Sequence, residues 1–248
     1  LGVTFQLFRN AISPLSRLFG NPLSYYQDGL YTVHRADFLK DPKFEKAYAA
    51  ACSTNHGHGK DFHIEWRVYV CCWAAVQALQ HEGDFIECGV NAGVLSRAVA
   101  DYVSFEKLQR RFFLMDTFEG LPEEQLVPAE IRIGLHKRYK YKDLYASTRE
   151  SFKKYPNVEF VRGRIPETLA GVPATKVAYL SIDMNAVVPE IAAATHFWDL
   201  LVPGGVIVLD DYNWRRHAMQ REAFDAFARE RDVKVLALPT GQGLIVKP

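Results

Sequence analysis

Val233-Lys234-Val235-Leu236-Ala237-Leu238, then Pro239-Thr240-Gly241-Gln242-Gly243, then Leu244-Ile245-Val246-Lys247: this stretch holds two apolar runs separated by a turn-forming link. The link is too short to contain a crossover helix, so the two strands must pair antiparallel. Working back from it, the sequence after Gly83 alternates short apolar runs with helical segments, the pattern of a parallel sheet with crossover helices. Five such strands are predicted at 84–88, 111–115, 158–162, 177–182 and 206–209, with helices near 93–104, 143–154, 187–201 and 215–231. The final strand is then expected to run against the others. A dinucleotide-binding dehydrogenase ends its second half with further crossovers instead, so the hairpin argues for a different branch of the doubly wound α/β architecture.

At 248 residues the chain fits one α/β domain with an N-terminal elaboration, although length alone would also allow two small domains. With 48% hydrophobic residues and a net charge of +1, neither disorder nor a nucleic-acid-coating surface is expected. No uninterrupted apolar run reaches the roughly 18 residues that a membrane-spanning helix needs. Cys52, Cys71, Cys72 and Cys88 show no paired-ligand spacing, for which a reduced, cytoplasmic setting is the simpler expectation. Residues 1–62 read as an irregular, partly helical cap, punctuated at Asn21-Pro22, Gln27-Asp28-Gly29 and Asn55-His56-Gly57-His58-Gly59. The apolar, lightly basic opening at 1–20 is expected to be a docking or oligomer-contact helix, since it would otherwise expose an apolar patch; a homo-oligomer follows from that. Residues 63–248 are expected to form the main domain, entered through a helix at 65–80 that is apolar almost all round and so packs on the sheet.

The first predicted strand runs into Glu87-Cys88-Gly89-Val90-Asn91-Ala92-Gly93, an acidic residue followed by glycines four apart at the entry to a helix. Gly89 allows a tight turn beneath a ligand, Gly93 lets the helix begin close to the strand, and the helix N-terminus offers unpaired N–H groups to a carboxylate or other anion. A strand-to-helix turn with no ligand would use the same residues. Two features point to S-adenosylmethionine. No middle glycine completes the loop expected around a pyrophosphate, and Asp116 closes the second strand where an acidic side chain can accept both hydroxyls of a ribose. A helix cap or loop charge is the plain alternative for Asp116. Gly163, in Arg162-Gly163-Arg164-Ile165-Pro166 after the third strand, is placed for the adenine.

Asp183 ends the fourth strand and Asp210-Asp211 end the fifth. Strand carboxyl ends line the ligand crevice in open parallel sheets, so these three carboxylates are expected to converge. Unpaired, they would repel one another and resist ionisation; a hard divalent cation such as Mg²⁺ resolves the conflict with oxygen ligands while keeping open positions. In the alternative, one aspartate caps the following helix and another pairs with Arg215 or Arg216.

Several blocks in order, Ile86-Glu87-Cys88-Gly89-Val90, Asp116-Thr117-Phe118-Glu119-Gly120-Leu121-Pro122, Ile182-Asp183 and Pro203-Gly204-Gly205-Val206-Ile207-Val208-Leu209-Asp210-Asp211-Tyr212, make residues 65–248 resemble the macrocin O-methyltransferase family. These are metal-dependent enzymes that methylate sugar hydroxyls in macrolide and aminocoumarin antibiotics. The resemblance implies a class I methyltransferase fold: a Rossmann-like doubly wound α/β sheet of five parallel strands plus a C-terminal antiparallel hairpin, here with an N-terminal helical extension. It implies that Asp183, Asp210 and Asp211 hold the metal, with Asp183 also touching the cofactor. It places Asp116 and Thr117 at the cofactor ribose, and Glu87, Cys88, Gly89, Val90 and Gly93 at the methionine part. It makes 119–141 a mobile segment over the substrate. The family often has a second acidic residue two positions after the first metal aspartate, followed by an aromatic; this chain has Asn185-Ala186.

The expected reaction is methyl transfer from S-adenosylmethionine to a hydroxyl of a small molecule, glycosidic by the resemblance, oriented by Mg²⁺ or another divalent cation. No lysine follows Asp183 closely, which leaves Asp183 and His217 as candidates for the base, although a histidine in the predicted helix after the metal pair more often lies at the surface. His56, His58 and His63 could reach the site as a lid or bind adventitious metal. Arg67 could pair with the cofactor carboxylate or simply snorkel. Competing expectations are a metal-independent small-molecule methyltransferase, a non-catalytic protein that keeps the cofactor fold as a scaffold, and, third, a nicotinamide dehydrogenase. No nucleic-acid partner is expected.

Overall fold

The computed structural model describes residues 23–54 and 61–248. Strands β1 (Tyr25–Gln27) and β2 (Leu30–Thr32) form a small antiparallel pair, followed by helices α1 (Pro42–Cys52) and α2 (Glu65–Ala78). The main sheet comprises β3 (Asp84–Cys88), β4 (Phe112–Asp116), β5 (Val158–Arg162), β6 (Val177–Ile182), β7 (Leu201–Leu209), β8 (Leu236–Ala237) and β9 (Gly243–Val246). Between these strands lie α3 (Val94–Tyr102), the short α4 (Pro128–Arg132) and α5 (Leu135–Arg138), α6 (Tyr145–Ser151), α7 (Val187–Trp198) and α8 (Ala218–Glu230). The strand order is β5-β4-β3-β6-β7-β9-β8. Strands β3 to β7 are parallel, and β9 runs antiparallel to both β7 and β8, as the terminal hairpin requires.

Side chains alternate across a strand, so a strand buried on both faces reads as an unbroken apolar run. Phe85, Leu114, Tyr179 and Val208 point into a core shared with Phe44 of α1, Val68 of α2 and Leu95 of α3. Their neighbours Ile86, Phe113, Leu180 and Ile207 point the other way, against Phe197 of α7 and Phe224 of α8. Full burial of each such side chain stabilises by about 1.5–3 kcal/mol.

Boundaries differ from expectation for physical reasons. Strand β7 starts at Leu201, ahead of the predicted 206, because Leu201 pairs with Val177 while Val206 pairs with Tyr179, and Pro203-Gly204-Gly205 bulges out between. Proline has no N–H for a ladder and is tolerated at such a bulge. Strand β8 is shorter than the predicted 233–238: Val233 donates its N–H to Ala228 O at 3.0 Å, closing α8 instead of pairing. Gln27-Asp28-Gly29, read above as loop punctuation, is the turn of the β1–β2 hairpin, and Asp28 (φ 51°) and Gly29 (φ 75°) supply the two left-handed residues of a type I′ turn. Asp41 caps α1, its carboxylate accepting the Lys43 N–H at 2.9 Å. The contact helix expected at 1–20 and the lid histidines His56 and His58 lie outside the described residues. Among the described residues no helix is long and apolar enough to cross a membrane.

Candidate functional site

Strand register assembles the site. Cys88 lies opposite both Met115 and Ile182, and Ile182 lies opposite Leu209. The residues that come next, Gly89, Asp116, Asp183 and Asp210, therefore leave the sheet side by side. Backbone bonds from Gly89 to Met115 O (2.9 Å), Asp183 to Cys88 O (2.8 Å) and Asp210 to Ile182 O (3.0 Å) extend the ladder to that row. Beyond it opens a cleft of about 1040 Å³.

Gly89 has φ 89°, and a Cβ there would collide with the backbone carbonyl of Asp183. Gly93 (φ 82°) is the N-cap of α3, where a Cβ would stand 2.7 Å from the Phe152 ring. Asp116 holds this loop in place: Oδ2 accepts the N–H groups of Val90 (2.6 Å) and Asn91 (2.7 Å), and Oδ1 accepts that of Phe118 (2.7 Å). Thr117 Oγ1 also lies 3.3 Å from Oδ1, the oxygen that accepts only one backbone N–H. Thr117 donates to Gly120 O at 2.8 Å and lines the cleft, as do Val90 and Gly163. Cys88 reaches the loop with its backbone alone; its side chain is in the core, with Sγ 3.9 Å from Met115 Sδ. Burial, and after it the charge of Asp183, pushes the Glu87 carboxyl well above the usual range.

Asp183, Asp210 and Asp211 do converge, each offering an oxygen within 4.8 Å of the others. They are not equivalent. Asp210 is fully buried and paired with Arg67, whose Nε lies 3.2 Å from Oδ1 and whose Nη2 meets Oδ2, and it also accepts from Gln242 Nε2 at 3.0 Å. Arg215 and Arg216 do not pair with the aspartates; Arg67 does, and it reaches Asp28 as well at 3.7 Å. Asp211 Oδ2 is buried with no hydrogen-bond partner. Asp183 accepts from Asn185 Nδ2 at 3.2 Å, so the residue standing where the family often has a second acid acts as a donor. Burial raises the pKa of both Asp183 and Asp211, the charge of Asp211 raises Asp183 further, and Arg67 opposes the rise in each. A divalent cation would satisfy the orphaned oxygen of Asp211 and relieve that repulsion, so these hard oxygen donors fit one.

His217 is not at the surface. It is buried in a single 3₁₀ turn ahead of α8, with Nδ1 2.8 Å from Gln220 Nε2 and 3.8 Å from Asp211 Oδ2. Burial lowers its pKa, against the opposing charge of Asp183. The expected mobile segment is a compact flap. Gly120 and Lys140 bridge its ends, and the fully buried Glu130 accepts the N–H groups of Val127 and Val187, each at 2.9 Å, which ties α4 to the start of α7. Tyr139 and Tyr141 line the cleft from this flap; burial, with the Asp211 charge, pushes the Tyr139 phenol up to about 12. His63 lies against Asp61 and Glu65, at 3.5 and 3.8 Å, and does not line the cleft. Sequence reading missed Gln242, Glu130 and Tyr139, because burial of a polar side chain by a distant segment leaves no local pattern.

The family model for macrocin-O-methyltransferase (TylF) matches residues 68–237. The chain belongs to this family. It is 30% identical over 152 residues, 57% of each chain, to the 8-demethyl-8-(2,3-dimethoxy-alpha-L-rhamnosyl)-tetracenomycin-C 4'-O-methyltransferase of Streptomyces olivaceus. It is 26% identical over 142 residues to the mycinamicin III 3''-O-methyltransferase of Micromonospora griseorubida, 52% of this chain and 55% of that one. The matches thus span little more than half the length of these curated relatives. Among solved structures, the O-methyltransferase NovP is similar with a TM-score of 0.67 at 17% identity, over 86% of this chain and 99% of that chain. The chain therefore has the class I methyltransferase fold expected from its sequence, with the inverted strand β9 in place.

Proposed function

We propose that this chain transfers a methyl group from S-adenosylmethionine to a hydroxyl of a sugar-bearing small molecule, beside a divalent cation held by Asp183, Asp210 and Asp211. The observation that carries the reading is that the Gly89-Val90 loop and the carboxylates of Asp183 and Asp211 open into one cleft. Relatives named for methylating a rhamnosyl tetracenomycin and mycinamicin III support the sugar-bearing acceptor. S-adenosylmethionine supplies an electrophilic methyl group and leaves as a neutral thioether, and the cation lowers the pKa of a hydroxyl near it.

The residues of the chain position and deprotonate. The backbone of Gly89 and Val90 and the start of α3 take the methionine part, with the helix N-terminus toward its carboxylate. Asp116, whose Oδ1 accepts one backbone N–H where Oδ2 accepts two, takes the ribose beside Thr117, and Gly163 lies at the adenine. The flap closes the cleft and excludes water through Tyr139 and Tyr141. His217 receives the hydroxyl proton at Nε2 in the tautomer that carries its own proton on Nδ1: the Gln220 amide, turned so that its otherwise unpartnered Oε1 accepts the Nδ1 N–H, holds that tautomer, and burial lowers the imidazole pKa. Asp183, whose pKa burial and Asp211 raise, stands as the alternative acceptor.

Calorimetric titration of S-adenosylhomocysteine and Mg²⁺ into the wild type and Asp211→Ala tests this. The cofactor product is expected to bind both proteins, and Mg²⁺ the wild type alone. If neither ligand binds the wild type, the reading fails. The Arg67 pair favours a second reading, metal-independent transfer, since it already neutralises Asp210. Full activity after dialysis against a chelator would select that second reading.

A further inference from the structure

We propose that the acceptor half of the cleft is built for an anionic sugar, one whose reacting hydroxyl is accompanied by a phosphate or carboxylate group that lies against Arg138, Arg215 and Arg216. This rests on the methyl-transfer reading above and names the substrate class. All three arginines line the cleft, Arg138 from α5 of the flap and the other two from the turn before α8. Arg215 and Arg216 share one turn with His217, and Arg138 stands across the cleft near enough for its charge to act on His217 and Asp211. The carboxylates lining the cleft are Asp28, Glu87, Asp116, Asp183 and Asp211. None of them makes an ion pair with these arginines among the described residues. Asp28 faces Arg67, Glu87 is buried at the end of β3, Asp116 accepts backbone N–H groups of the glycine loop, and Asp183 and Asp211 are the proposed cation donors. Three guanidinium groups thus line the cleft with donors to spare. Guanidinium donors match the oxygens of phosphate or carboxylate two at a time, which a neutral sugar cannot exploit. Because Arg138 belongs to the flap and Arg215 and Arg216 to the body, an anion between them would also draw the flap shut.

Calorimetry with inorganic pyrophosphate, in the absence of Mg²⁺, tests the inference directly. The wild type is expected to bind it, more weakly as salt is raised. Arg138→Gln/Arg215→Gln/Arg216→Gln together should weaken binding at least tenfold, while Arg229→Gln on the far end of α8 should leave it unchanged. S-adenosylhomocysteine titrated into the same samples reports whether each variant is folded and whether the cofactor reading stands, so the two failures are distinguishable. Displacement of pyrophosphate by glucose 1-phosphate assigns the anion to a phosphate ester, and displacement by glucuronate assigns it to a carboxylate. No binding to the wild type, equal binding to the triple variant, or displacement by neither sugar overturns the inference.

Discussion

Arg67 links four parts of the molecule through one guanidinium group. It lies on α2, pairs with Asp210 after β7, reaches Asp28 in the hairpin turn, and sits over the Trp214 ring with its centroid 5.9 Å away. Pairing is what makes a fully buried Asp210 tolerable, because an isolated carboxylate in such a place would cost far more than its contacts return. Arg67→Met is therefore expected to destabilise the protein by about 3–5 kcal/mol in urea unfolding. Adding Asp210→Asn should recover part of that loss, since the orphaned charge is then gone. Little or no loss in the single variant would mean that Gln242 alone satisfies Asp210. At this scale the sequence was legible where chemistry sits on the backbone pattern: the three aspartates and Gly89 were found from their places at strand ends. Arg67 was noticed, with the cofactor carboxylate and plain snorkelling both left open, but its pairing with Asp210 was not foreseen, because that is set by how α2 crosses the sheet and not by any neighbour in the chain.

Among the elements, the five parallel strands were readable because burial on both faces writes itself as short runs such as Phe112-Phe113-Leu114-Met115, and the hairpin because a five-residue link of Pro, Thr, Gly, Gln and Gly admits no helix. The β1–β2 hairpin carried the signal in Asp28-Gly29 yet was passed over, its strands being too short to show alternation. The flap was expected from the family resemblance, and nothing in its sequence announces the clamp that holds it. Glu130 fills that role by accepting one N–H from its own helix start and one from α7. Glu130→Ala leaves both donors without their partner, at about 1–3 kcal/mol for a buried group left unsatisfied. The loss should be local: hydrogen exchange across 121–139 is expected to speed up while β3, β4 and β6 keep their protection. Uniform acceleration over the whole sheet would show that the flap is part of the cooperative core instead.

The whole molecule closes around a ligand site that draws on residues from Asp28 to Gly241. A ligand that binds only this assembled form stabilises it by mass action, about 2.7 kcal/mol at a hundredfold excess over its dissociation constant. For a chain of this size that corresponds to a rise in melting temperature of roughly 5–10 °C. S-adenosylhomocysteine should produce such a shift in a thermal melt, and its absence at saturation would mean that the site does not exist as one unit in solution. The inverted strand has a consequence of another kind. Strand β7 carries Val206-Ile207-Val208-Leu209 along an edge that, among the described residues, is covered by β9 and by no earlier strand. Until the hairpin docks, that edge is an open row of backbone donors and acceptors flanked by apolar side chains, a template on which another molecule could pair. The two-residue β8, laid outside β9, ends the row once docking is done. Folding and self-association therefore compete for the same edge, and the speed at which the last two strands arrive decides between them.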